Sequence, residues 1–298
     1  MALVLAQAGL AVVTCVLAVS GVVVATEGTT FPGGLRPTLT VTPTAAVLNC
    51  PTTGPYRAPE RGSVGVPAAL SLCPGAARVI SVPGTVLDGW DVRGGVVVDA
   101  PDVVIRRSRI TGDGSQAFGI RTTGAGSVRI EDVTLTGDFP EAAIGGDRWS
   151  AERVEITRVT GDGARLGDAS RMRNSTVHDF VPGAGREASA IVVHGSGADV
   201  LVEDNRIELG AGPGRDSAVL LAPEQPGDRA DGPVVIRGNV LGGGRYTVRQ
   251  DVPAAAMTDV RISGNRFVRD AEQGPMRVSP RAVLENNIYL DGGRLPNQ

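Results

Sequence analysis

Lysine is absent from this chain, and all 29 basic residues are arginine. Any mechanism that depends on a lysine amine, Schiff-base formation among them, is therefore excluded. Aromatic residues make up only 3% of the chain. The apolar complement is Val, Ile, Leu and Ala beside abundant glycine, which favours many short strands with tight turns over helices. With a net charge of -3 and arginines spread along the whole length, the chain has no concentrated basic stripe, and no nucleic-acid partner is expected. Only two histidines are present, His178 and His194.

What the sequence does have is a repeat. The stretch VVIRRSRI (103–110) returns as VRIEDVTL (128–135), VLVEDNRI (200–207), VRISGNRF (260–267) and VLENNIYL (283–290), with imperfect copies VEITRVT (154–160), MRNSTV (172–177) and VVIRGNV (234–240). Its sixth position falls at Ser108, Val133, Val159, Ser175, Asn205, Asn239, Asn265 and Asn287. A strand returning at a period in the twenties, with variable insertions, predicts a solenoid whose turns cannot bury their cores alone. A second strand family precedes most copies: FGIRTT (118–123), AAIGGD (142–147), ARLGD (164–168), SAIVVH (189–194), SAVLLA (217–222), YTVRQD (246–251) and PMRVS (275–279). At least two strands per turn, separated by glycine-rich or polar corners, predict an all-β, right-handed parallel β-helix. Alternation within the repeat puts Val104 or its neighbours inward and Arg107 outward. The four asparagines should stack as an internal ladder, since asparagine tolerates a left-handed backbone and its amide can bridge to the next coil.

The chain divides into three parts. Residues 1–25 are a signal peptide or an uncleaved membrane anchor, nearly all apolar from Leu3 to Ala25. Either reading exports the rest, to be secreted or held at the membrane by residues 3–25. Residues 26–62 form a Thr/Pro/Gly-rich lead-in, and residues 63–298 the β-helix domain. A short capping helix over Pro67–Leu72 is expected, because proline suits a first helical turn. In an oxidising compartment Cys50 and Cys73 pair as a disulfide; the alternative is two buried thiols.

The repeated V-x-I-x-x-N units, GTVLDGWDV (84–92), RGNVLGGGRYTV followed by RISGNRF, and GVPAAL (65–70) resemble the secreted right-handed β-helix proteins of actinobacteria within the pectin-lyase-like superfamily. The likeness spans residues 63–298. It implies polysaccharide lyase or glycoside hydrolase chemistry, though the superfamily also includes proteins without known activity. Relatives commonly carry His-x-Asp-Gly-(Ile/Val)-Gln on the groove strand. Here the matching stretch is Glu187-Ala188-Ser189-Ala190-Ile191-Val192, which keeps neither the histidine nor the aspartate.

Three groups of residues are candidates for chemistry. Thr-Gly-Asp recurs at 111–113, 136–138 and 160–162. Stacked carboxylates at Asp113, Asp138 and Asp162 would suit a hard cation such as Ca2+, unless the motif is only a repeated corner. Arg186 or Arg215 with His194 could serve a lyase as cation and base, and Glu187 with Asp216 could serve a hydrolase as its carboxylate pair. The alternative is an exposed Arg–acid ion-pair ladder. Along the second strand family the groove row reads Arg121, Gly145, Gly167, Val192, Leu220 and Arg249, with Asp147, Asp168 and Trp149 as further substrate contacts. These readings lead to a chain that binds or processes a polysaccharide or cell-envelope glycan, or to a non-catalytic surface scaffold with a degenerate groove.

Overall fold

The computed structural model describes residues 46–51, 53–54, 62–194, 198–222, 232–251 and 259–296. The apolar segment 3–25, and with it the choice between signal peptide and anchor, lies outside them. Among the described residues no helix is long and apolar enough to cross a membrane.

Every repeat copy except VEITRVT (154–160) contributes one strand to a ten-stranded, all-parallel sheet running from Val47–Asn49 to Val283–Glu285. This is the first face of a right-handed parallel β-helix. A seventeen-stranded sheet bends to supply two more. The second face begins directly after the ladder corner, with Arg109–Asp113, Thr134–Asp138 and Glu155–Val159 stacked in order. The third face is the second strand family, from Phe118–Thr122 to Gly274–Arg277. Trp90–Val98 is long enough to pair on both bent faces. Each complete coil therefore has three strands, in keeping with the expected minimum of two. Neighbouring coils are spaced about 4.8 Å apart by their ladder hydrogen bonds.

The core is a column of small and branched side chains. Val103 and Ile105 point inward and are fully buried, while Val104 is half-buried on the outer side. Arg107 reverses its expected position. It is buried, and its guanidinium grips Asp88 twice, Nε to Oδ1 at 2.6 Å and Nη2 to Oδ2 at 2.7 Å. The reason lies in the backbone. The column just before the ladder, which holds Gly89, Arg107, Asp132, Arg153, Asn174, Asp204, Gly238, Gly264 and Asn286, has positive φ throughout. A left-handed residue turns its side chain out of the strand alternation, and Arg153 uses the same turn to reach Asp132 at 2.7 Å.

The asparagine ladder forms as expected. Asn205 Nδ2 donates to Asn239 Oδ1 at 3.0 Å, Asn239 to Asn265 at 2.9 Å, and Asn265 to Asn287 at 3.0 Å. Each Oδ1 also accepts a backbone N–H from the preceding coil. Ser108 and Ser175 extend the same column with hydroxyls that accept from Trp90 N and Val154 N. One member differs from the sequence reading: Val154, not Val159, occupies the corner. Trp149–Glu152 pairs in register with Val128–Glu131 and with Arg171–Arg173, and so completes a copy the pattern missed.

The N-terminal boundary is built differently from the sequence expectation. No helix forms over 67–72. Leu70 N closes a turn on Pro67 O, and a strand starts at Cys73. The first coil is covered instead by Val47–Asn49, a strand from the lead-in that pairs with Val86–Asp88. The Cys50–Cys73 disulfide joins this strand to the next segment across 23 positions. Residues 62–72 run back over the second face, where Gly65 N donates to Arg153 O and Val66 N to Thr134 Oγ1. Replacing Cys73 with serine is expected to remove about 3 kcal/mol of chain-entropy stabilisation. Urea unfolding with and without reductant checks this: wild type under reductant should match the variant, and no difference between oxidised and reduced wild type would contradict it.

Candidate functional site

The third face has glycine gaps in its floor, and these decide where side chains can lie. Arg121 and Gly145 are cross-strand partners, and one coil on the position is filled by Arg165, because Ile144 pairs with Ala164. The row therefore reads Arg121, Gly145, Arg165, Val192, Leu220, Arg249, with Arg165 in place of the expected Gly167. A Cβ on Gly145 would stand 2.5 Å from the Phe118 ring. The ring thus lies over that glycine, with the Arg121 guanidinium carbon 4.8 Å and that of Arg165 6.0 Å from its centroid. Two guanidinium groups about two coil spacings apart, roughly 10 Å, flank one aromatic platform.

Around this platform is a cleft of about 700 Å3 lined by Phe118, Arg121, Glu141, Asp147, Arg165 and His194. Arg165 donates through Nη1 to Glu141 Oε2 at 2.5 Å and through Nε to Asp162 Oδ2 at 2.8 Å. Asp162 also accepts Ser189 N at 2.8 Å. Burial pushes the Asp162 carboxyl above the usual carboxylate range, although the Ser189 N–H and Arg165 oppose the shift. The Asp147 carboxylate accepts Asp168 N at 3.0 Å and folds over the gap at Gly167, where an added Cβ would lie 1.9 Å from its oxygen.

The structure gathers Arg121, Asp147 and His194 into this cleft, and it disperses other expected residues. Trp149 is 1% exposed, packs in the core and donates Nε1 to Gly146 O at 3.0 Å, so it offers no stacking surface to a ligand. Asp168 sits at the turn into the first face, accepting Ala198 N. Arg215 is spent on the Leu209 and Phe180 carbonyls, and Arg186 on Pro140 O. Gly185-Arg186-Glu187 is echoed in sequence by Gly214-Arg215-Asp216, but the two are out of register by two: Ala188, not Arg186, bridges Arg215. Glu187 and Asp216 are still linked, since Arg245 Nη2 lies 3.0 Å from one and 2.6 Å from the other, and Arg249 adds a 2.8 Å contact to Asp216. Both carboxylates are thus ion-paired.

The calcium row does not form. Asp113 and Asp138 are cross-strand partners on the second face, whereas Asp162 is on the third, opposite Ala142. The Ser115 hydroxyl, together with its backbone N–H, holds the Asp113 carboxyl below the usual range, and Thr160 donates to Asp138. Among the described residues no group of three or more His, Cys, Asp or Glu is arranged to hold a metal ion.

Sequence reasoning missed Phe118, Glu141 and Arg165. Phe118 stood in FGIR beside a named arginine, and Arg165 would have emerged from aligning Ala164 with Ile144 and Ile191. Comparison with protein-family models, curated proteins and solved structures finds no match to this chain.

Asp162→Asn tests the local electrostatics. With its folded pKa raised, native Asp162 holds its proton to higher pH than the unfolded chain does, so wild-type stability falls as pH rises from the unfolded value, about 3.9, through the folded one. The variant should lack that decline. Parallel stability–pH curves for the two proteins would contradict the assignment.

Proposed function

We propose that the chain is an exported protein of the pectin-lyase-like β-helix kind, and that its third face binds an anionic polysaccharide. The observation that carries this is the Phe118 ring laid over Gly145 between Arg121 and Arg165. A sugar ring has an apolar face that suits an aromatic platform, and guanidinium groups suit carboxylates or sulfates at its edge. The disulfide supports an oxidising destination.

Titration with uronic-acid and neutral polysaccharides tests the reading. Uronate binding should weaken with salt. Arg121→Ala and Phe118→Ala should each weaken it about tenfold, or 1.4 kcal/mol. Equal affinity for neutral and acidic chains would remove the proposal.

Catalysis is a second reading, favoured by the raised carboxyl of Asp162 beside Glu141. Glycoside hydrolysis uses one carboxyl with a raised pKa as its acid and a second carboxyl group beside it. New reducing ends would support it, and unsaturated products would instead indicate a lyase. Binding without either product would leave a scaffold.

A further inference from the structure

The Phe118 arrangement has a counterpart further along the same face. Phe118-Gly119-Ile120-Arg121 is matched by Tyr246-Thr247-Val248-Arg249, and Arg249 pairs with Arg277 on the last coil. Arg277 leans over the Tyr246 ring at 5.9 Å, as Arg121 leans over Phe118 at 4.8 Å. In each place the second arginine is held by a buried aspartate: Arg165 by Asp162 and Arg249 by Asp216. Arg121 and Arg277 are both exposed, and among the described residues neither has a carboxylate partner.

A second observation marks the Tyr246 end. Among the described residues, the buried side-chain polar atoms without a hydrogen-bond partner are Ser217 Oγ, Thr247 Oγ1 and Arg249 Nε. All three lie on the adjacent strands Ser217–Leu221 and Tyr246–Gln250. Buried polar groups without a partner are rare in folded proteins and call for an explanation, of which a bound group that completes them is one.

We infer that the third face carries a second anion-recognising subsite at Tyr246, Arg249 and Arg277, and that its ligand is a linear anionic glycan long enough to occupy both ends. The inference rests on the polysaccharide reading above. Register fixes the span. Phe118 and Tyr246 are five coils apart and Arg121 and Arg277 six, which at about 4.8 Å per coil gives about 24 and 29 Å. Between them the row is Val192 and Leu220, an apolar floor without charge. A ligand gripped at both ends gains affinity because the second contact is made at a high effective concentration, without any new chemistry.

Calorimetry of the full chain with size-fractionated oligouronates tests this. Short oligomers should bind two per chain, and oligomers that reach about 24 Å should bind one per chain and at least about a hundredfold tighter. Arg277→Ala and Tyr246→Ala should each abolish the gain with length and reduce the short-oligomer stoichiometry to one; Tyr246→Phe should restore both. Arg277 is exposed and has no ion pair among the described residues, so its variant should keep the wild-type melting temperature even where Tyr246→Ala fails to fold. Length-independent affinity, or an Arg277→Ala protein that behaves as wild type while Arg121→Ala weakens binding, overturns the second subsite and leaves the first standing. No binding of any oligouronate takes down the polysaccharide reading and this inference together. Tighter binding of a single-stranded oligonucleotide than of the longest oligouronate would overturn the choice of a glycan.

Discussion

Asn239→Leu is expected to destabilise the fold by about 3–5 kcal/mol, a large effect for one residue. Asn239 is fully buried in mid-ladder. Its Oδ1 accepts both Asn205 N and Asn205 Nδ2, and its Nδ2 donates to Val202 O and Asn265 Oδ1. Leucine has similar bulk but leaves the Asn205 backbone N–H buried without an acceptor and deprives three other groups of one contact each. Leaving a buried polar group unpaired costs about 1–3 kcal/mol, and more than one group is affected. Asn239→Asp separates lost hydrogen bonds from lost shape. At neutral pH its carboxylate would face the Val202 and Asn265 oxygens, whereas at low pH the protonated acid regains a donor. Its deficit should therefore shrink on acidification while that of the leucine variant stays constant. Chemical denaturation of both across pH is the measurement, and a leucine variant within about 1 kcal/mol of wild type would show that the ladder contributes little.

Asp88→Ala should cost a comparable amount, about 3–5 kcal/mol, because it leaves the Arg107 guanidinium buried without the carboxylate that grips it twice. Asp88 also receives Arg106 Nε at 2.9 Å, so its removal takes this carboxylate from two cations at once. The pair itself need not be stabilising relative to an apolar replacement, since desolvating both charges offsets much of their attraction. Asp88→Ala combined with Arg107→Met should therefore recover a large part of the loss. A double variant as unstable as the sum of the singles would mean that the two residues act independently and that the geometry overstates their coupling.

The corner shared by these two predictions shows how far the sequence can be read. Asparagine at a fixed place in a strand repeat announces a stacking function, because a side chain that disfavours strands would otherwise be lost there. The serines at Ser108 and Ser175 fit the same logic. Trp149–Glu152 escaped detection because its inward positions are Trp149 and Ala151 where other copies have Val and Ile. The column remained regular while its apolar signature changed. Arg107 was misplaced for a related reason. Alternation assigns faces only while the backbone stays extended, and a left-handed residue breaks the count.

The candidate cleft was legible in part. Arg121, Asp147 and His194 could be named from the strand family, but Phe118, Glu141 and Arg165 could not be joined to them. Thr-Gly-Asp illustrates the opposite failure. Three identical tripeptides at nearly equal spacing look stacked, yet Asp162 enters the third face directly, without the long turn that follows Asp113 and Asp138.

By itself the sequence determined the architecture, the ladder and the cysteine pair, because these depend on patterns that each coil repeats and that local chemistry enforces. Only the tertiary structure decided which side chains meet on the third face. Turns of unequal length separate its strands, so the residue beneath Phe118 or opposite Arg121 depends on inter-coil hydrogen-bond register, a long-range property. The same register places two aromatic–arginine pairs five coils apart on a single face, in a chain where neither is marked by any motif.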